Sequence, residues 1–166
     1  VTDRDCADAA VTIGRVRPED DAPLARIVRA GMAEHGVCGG PDDDPEIEAI
    51  SRAFAGPRSA YFVARRRARI LGGGGIGPLP GGPADACELR KMYLAPGARG
   101  AGTGRRLLAA CLEAAREAGY RRCRLATMTR MERAGRLYER AGFRRVETPI
   151  PGTGHAGCDR WYELDL

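Results

Sequence analysis

Apolar side chains recur at helical spacing in several stretches of this 166-residue chain and cluster in short runs elsewhere. Leu24, Ile27, Val28 and Met32 form one stripe. That spacing predicts a helix capped at Asp20 and Asp21, with Pro23 in its first turn and Gly36 as its stop. Leu107, Leu108, Cys111, Leu112 and Ala115 predict a second long helix from about Thr103 to Ala118, closed by Gly119. Pro45 through Ile47, Ile50 and Phe54 reads as a shorter helix ended by Gly56-Pro57, and Glu132 to Arg140 as another ended by Gly142. Strands are expected at Thr12 to Arg17, Tyr61 to Ala64, Ile70 to Ile76, Cys87 to Leu94, Arg124 to Thr127, Phe143 to Val146 and Trp161 to Leu166. Arg66-Arg67-Ala68 reads as a tight turn that makes the second and third of these a hairpin. The order is β-α-α-β-β-β-α-β-α-β-β, without repeat or linker. It implies one domain over residues 11–166, behind a polar, alanine-rich stretch at residues 1–10 that is expected to fray.

The most telling segment precedes the second long helix: Arg99-Gly100-Ala101-Gly102-Thr103-Gly104, followed by Arg105 and Arg106. Alternate glycines let a loop fold tightly and converge its N–H groups, and a helix N-terminus adds free amides and the positive end of its dipole. The combination is a polyphosphate cradle with three arginines around it. A Walker loop would need Lys and Ser or Thr after the glycines, and the chain's one lysine, Lys91, lies before them. Gly72 to Gly77 fits G-x-G-x-x-G on paper. A helix should follow that fingerprint, yet Pro78, Pro80, Gly81, Gly82 and Pro83 come next, so the match reads as an accident of a glycine-rich strand.

The R-x-x-G-x-G turn between strand and helix resembles the GNAT superfamily of acyl-CoA-dependent N-acetyltransferases. Two further segments resemble it in the same order: Glu88 to Pro96 (ELRKMYLAP) as the family's central strand, and Ala134 to Phe143 (AGRLYERAGF) as its later helix and strand. The resemblance spans roughly residues 11 to 166. It implies an α/β (α+β) GNAT fold, with a mixed, mostly antiparallel sheet of about seven strands flanked by about four helices. It also implies acetyl-CoA as cosubstrate. Arg99, Gly100, Ala101, Gly102, Thr103, Gly104 and Arg105 would then hold its pyrophosphate, the Met92 amide would face the thioester carbonyl, and Tyr93 and Leu94 would line the arm. The central strand of the family splays from its neighbour to admit that arm. A period of two places Glu88, Arg90, Met92 and Leu94 on one face of it.

Acetyl transfer to an amine needs a base for the ammonium, a donor for the developing oxyanion and a proton for the departing thiolate. Glu88 stands where several relatives keep a carboxylate base; the other reading is an ion pair with Arg90. Tyr138 stands where the family commonly places a tyrosine beside the coenzyme sulfur, and a phenol is still protonated at neutral pH. It reads as the general acid, or else as a core tyrosine. Met131 occupies the place of an asparagine that binds the arm in many relatives, with Thr127 or Thr129 as replacements. The segment Gly154-His155-Ala156-Gly157-Cys158 resembles a bacterial GNAT subgroup with Gly-His-x-x-Cys before the last strand, which makes His155 and Cys158 candidates for the acceptor side. Asp42, Asp43 and Asp44 either draw a cationic acceptor or cap the helix after them.

Composition narrows the field. The chain has 27 Lys and Arg against 22 Asp and Glu, a net charge of +5, which favours an anionic cosubstrate. The arginines are dispersed, with no aromatic-interleaved basic stripe, so no nucleic-acid partner is expected. Six scattered cysteines without a CxxC pair point to reduced thiols and a cytoplasmic location. His35 to Cys38 and His155 to Cys158 share a spacing but match no zinc finger, so no metal is expected. No apolar run is long enough to span a membrane. The reading is a transferase acting on a primary amine of a small molecule, with no covalent enzyme intermediate. The alternatives are a protein acetyltransferase acting on N-termini or lysines, and an acyl-CoA-binding regulatory module without efficient catalysis. GNAT proteins are often homodimers, although nothing in the sequence locates an interface.

Overall fold

The computed structural model describes residues 10–37, 44–150 and 157–166. Seven strands form one sheet: β1 (Thr12–Arg15), β2 (Ala60–Arg66), β3 (Arg69–Pro78), β4 (Ala86–Leu94), β5 (Arg122–Thr127), β6 (Arg144–Val146) and β7 (Arg160–Asp165). Their spatial order is β1-β2-β3-β4-β5-β7-β6. Only β4 and β5 run parallel, so the sheet is mixed and mostly antiparallel, in line with the expected fold. The helices are α1 (Asp21–Glu34), α2 (Ile50–Ala53), α3 (Thr103–Glu117) and α4 (Glu132–Arg140).

Both long helices follow their apolar stripes. α3 buries Leu107, Leu108, Cys111, Leu112 and Ala115, and Gly119 leaves it at φ +78°. α1 buries Leu24, Ala25 and Val28, and Gly31 lets the Tyr93 ring lie against the helix. The segment after Pro45 departs from the expected helix: residues Pro45–Ala49 are a 3-10 helix and only Ile50–Ala53 is α-helical. Asp20 and Asp21 do not cap α1 with their side chains. Asp20 accepts from the Arg17 amide and pairs with Arg65, while Asp21 accepts from the Ser51 amide (2.7 Å) and hydroxyl (2.6 Å), tying α1 to α2.

The glycine run of β3 has a packing reason rather than a nucleotide-binding one. A Cβ on Gly73 would lie 2.4 Å from the Tyr61 ring, one on Gly74 3.0 Å from Met92, and one on Gly75 2.5 Å from Tyr61 and 2.7 Å from Phe54. Tyr61, wholly buried on β2, therefore lies across its neighbour strand at positions where only glycine leaves room.

Two irregularities of β4 shape the site. First, its ladder to β5 covers only Ala86–Arg122, Cys87–Cys123 and Glu88–Arg124, while β4 itself runs on to Leu94. Beyond Glu88 the two strands diverge, which is the splay the family resemblance implied. Second, the ladder to β3 pairs Gly75 with Arg90 and Gly73 with Tyr93, so Lys91 and Met92 together face Gly74. Lys91 takes the left-handed φ of +52°. This is a β-bulge, and it reverses the side-chain alternation. Glu88, Arg90, Met92 and Leu94 therefore do not share a face. Arg90 packs over the Phe54 ring with Glu46 on the α1 side, whereas Met92 and Leu94 pack with α3 residues on the other.

Candidate active site

The glycine loop is built as its sequence implied. Gly100 (φ +85°) and Gly102 (φ +78°) are left-handed, a conformation that costs other residues about 1–2 kcal/mol, and nothing lies within 4 Å of where their Cβ atoms would be. Gly102 precedes α3, whose first intrahelical bond runs from the Arg106 amide to the Gly102 carbonyl (3.1 Å). The amides of Thr103, Gly104 and Arg105 consequently have no partner within the helix, and no side chain among the described residues caps them. Ala101 and Arg105 are exposed and Thr103 is buried. Gly104 faces Leu94, Met92 and Leu137, which places the head of α3 beside both β4 and α4.

The arginines of this loop are less free than their positions suggested. Arg99 donates to the Leu94 carbonyl (3.0 Å) and forks onto both carboxylate oxygens of Glu34 (2.8 and 2.7 Å), so it braces the loop against β4 and α1. The same pairing lowers the Glu34 carboxyl below its ordinary range. Arg106 donates to the Val11 carbonyl (2.9 Å). Arg105 is exposed and, among the described residues, has no partner of this kind. Beside the loop, a cleft of about 290 Å³ opens between α1 and the end of β4, with Ile27, Leu94, Pro96 and Arg99 in its wall.

On the other side of the splay, α4 presents Tyr138, 7% exposed, with its ring edge on Phe143 (5.9 Å) and tilted to Tyr162 (6.0 Å). Burial raises the phenol far above its usual range, and Tyr93, Cys111, Cys123 and Cys158 add to the effect. Tyr93 itself is pushed up to about 12, first by burial and then by Cys158 and Asp44. The half-buried Cys158 thiol, just before β7, rises to about 11 through burial, Asp159 and Glu88. Tyr93, Tyr138 and Cys158 thus influence one another electrostatically, and Glu88 acts on Cys158, although the four come from three separate segments. Glu88 is wholly buried, with Arg90 Nε 3.9 Å away and Arg124 opposite it on β5. Asp159, next to Cys158, accepts from the Thr129 amide (2.6 Å) and fixes the loop after β5 to the one before β7. His155, Asp42, Asp43 and Cys38 lie outside the described residues.

Of the acidic run ahead of α2, Asp44 is described, and its side chain is engaged within the protein. Asp44 makes no side-chain cap; it pairs with Lys91, and Glu46 reaches both Lys91 (4.0 Å) and Arg90 (3.2 Å). This charged cluster ties the segment ahead of α2 to the β4 bulge. It was not read from the sequence, where the only signals were a solitary lysine and an acidic run 47 positions before it. Among the described residues no group of His, Cys, Asp and Glu is arranged to hold a metal, and no helix is long and apolar enough to cross a membrane.

The geometry has clear counterparts among known proteins. The model of the acetyltransferase (GNAT) family matches residues 26–143. The Escherichia coli (strain K12) protein YjgM, an uncharacterized N-acetyltransferase, is 36% identical over 148 residues, covering 87% of this chain and 89% of that protein. A GNAT-family acetyltransferase from Staphylococcus aureus Mu50 superimposes with a TM-score of 0.85 at 21% identity, over 95% of this chain and 99% of the other. The Salmonella typhimurium protein yncA, described with its cofactor acetyl-CoA, superimposes with a TM-score of 0.73 at 19% identity, over 95% and 94%. A family match over most of the chain and a relative above 30% identity along nearly its whole length agree with the splayed β4–β5 pair and the glycine loop at the head of α3: this chain belongs to the GNAT family of acetyltransferases.

Proposed function

We propose that the protein transfers an acetyl group from acetyl-CoA directly to a primary amine of a small molecule. The observation that carries this reading is the junction of two features. Left-handed Gly100 and Gly102 bare the first amides of α3, and the β4 backbone leaves β5 just beyond a buried carboxylate. The loop amides of residues 100–104 would hold the pyrophosphate, with Arg105 adding charge and Arg99 holding the loop in shape. Met92, Tyr93 and Leu94 would flank the arm along the open edge of β4.

Acetyl-CoA would supply an activated thioester, and transfer forms an N–C bond as the C–S bond breaks. Glu88 takes the proton that the attacking ammonium must lose. Tyr138 keeps its proton at neutral pH, passes it to the leaving sulfur, and is restored by the second proton that the nitrogen sheds as the amide forms. Covalent catalysis by the described cysteines is disfavoured: Cys158, Cys111 and Cys123 all have their thiols pushed up, so the reactive thiolate is scarce. Free, unbridged cysteines in the core fit a cytoplasmic protein.

The test is release of free thiol from acetyl-CoA across a panel of amines: amino acids, polyamines, aminoglycosides, and peptides with free N-termini or lysines. Turnover on a small amine exceeding that on peptides supports the reading, and turnover on peptides alone overturns the small-molecule part of it. With the amine found, Glu88→Gln should lower kcat about 100-fold while leaving acetyl-CoA affinity within a few-fold. An unchanged kcat would reduce Glu88 to the partner of Arg90.

A further inference from the structure

The bulge in β4 is held open by a side chain from another strand. Tyr61, on β2, donates its hydroxyl to the carbonyl oxygen of Lys91 at 2.8 Å. To get there its ring crosses β3 at Gly73 and Gly75, where a Cβ would collide with it at 2.4 and 2.5 Å. The Lys91 carbonyl and the Met92 N–H belong to one peptide unit. That unit is planar, and no cis peptide bond occurs among the described residues, so the two groups point in opposite directions. Fixing the carbonyl on Tyr61 therefore fixes the direction of the Met92 amide, away from Tyr61. Lys91 is the left-handed residue of the bulge. Its left-handed φ of +52° is strained for a residue with a side chain, and its ammonium is paired with Asp44 and lies 4.0 Å from Glu46.

We propose that Tyr61 is a positioning residue that aims the Met92 amide at the reacting carbonyl, and that the glycines of β3 exist to let it do so. The inference rests on the acetyl-transfer reading for what the amide does, but its structural half stands independently. A backbone donor stabilises a developing oxyanion only when it already points at the right place, so a peptide free to rotate loses most of its effect. Tyr61 is buried, so its effect on the reaction passes through the peptide it holds. Burial keeps the phenol protonated, hence always a donor.

The experiment is Tyr61→Phe, which keeps the ring and removes only the hydroxyl. With an accepted amine, kcat should fall about tenfold or more while KM for acetyl-CoA stays within about twofold. The ¹H–¹⁵N resonance of Met92 should move in the variant more than those of β1. Wild-type kcat in a folded Tyr61→Phe protein would overturn the proposal. Should the wild type acetylate no amine at all, the functional reading fails, and the Met92 resonance alone decides the structural half: unmoved, it overturns the hold. A second pair separates conformation from charge. Lys91→Gly accepts the left-handed φ and should keep kcat within about threefold, whereas Lys91→Val, equally uncharged, should lose tenfold or more. Equal losses in both would mean that the Lys91 charge, not the bulge, matters.

Discussion

Replacing Tyr138 with phenylalanine is expected to lower kcat about 100-fold with little change in acetyl-CoA affinity. The substitution removes one hydroxyl from α4 and leaves the ring on Phe143 and Tyr162, so the packing of the core persists. What would disappear is the proton proposed for the leaving sulfur, and positioned proton transfer is worth roughly 10²–10⁴ in rate. The pH dependence follows from the direction of the shift. Burial raises the Tyr138 phenol above its ordinary value near 10, so its proton stays on at pH values where an exposed tyrosine would lose it. The wild-type rate should therefore show no fall attributable to Tyr138 as pH rises to 10. A wild-type kcat in Tyr138→Phe would return this residue to a purely structural place in the core.

The second large effect is on stability. Gly73→Ala should destabilise the protein by about 3 kcal/mol, because overpacking a closed site costs roughly 1–3 kcal/mol and here backbone is involved. The new methyl would sit 2.4 Å from the Tyr61 ring and 2.7 Å from the Phe62 carbonyl oxygen, and a carbonyl in a strand pair cannot step aside. For a domain of this size, that corresponds to a melting temperature lower by roughly 10 °C. Gly104→Ala is the control. Its methyl would meet Leu137 and Leu94 at 3.4 and 3.5 Å, ordinary contacts, and alanine favours a helix, so its melting temperature should hold or rise. Differential scanning calorimetry on both variants decides the matter. An unshifted Gly73→Ala would mean that Tyr61 does not lie across β3.

These two residues mark where the sequence was legible and where it was not. Tyr138 could be singled out because Ala134 to Phe143 carries, in its residue types, the resemblance to the family's later helix, which Gly142 bounds. The glycine loop was legible for a similar reason: left-handed turns leave a mark in residue type, and Gly100 and Gly102 carry it. The glycines of β3 leave the same mark for a different cause. What forbids a side chain at Gly73 and Gly75 comes from Tyr61 and Phe54 on other elements, and no local pattern announces that. The bulge is more hidden still. Its left-handed residue is a lysine, and what holds it is a hydroxyl thirty positions earlier. A strict period of two across β4 therefore placed Met92 and Leu94 on the wrong face. Arg99 shows the same limit for charge. Its place beside the loop was readable, but the claim on it by Glu34, 65 positions away, was not. The helix expected after Pro45 became mostly a 3-10 turn, within a segment whose acidic residues are pulled toward Arg90 and Lys91.

The central claim is that the loop at the head of α3 binds the pyrophosphate of acetyl-CoA for transfer. Calorimetric titration of the wild-type protein with acetyl-CoA, beside the Gly102→Asp, Gly104→Asp double variant, tests it most directly. Two carboxylates placed at the bared amides of α3 would occupy and repel the same charge that the loop attracts. The account predicts saturable binding by the wild type and at least a 100-fold weaker affinity in the folded variant. A folded wild-type protein that takes up no acetyl-CoA, or a double variant that binds it equally well, would contradict it.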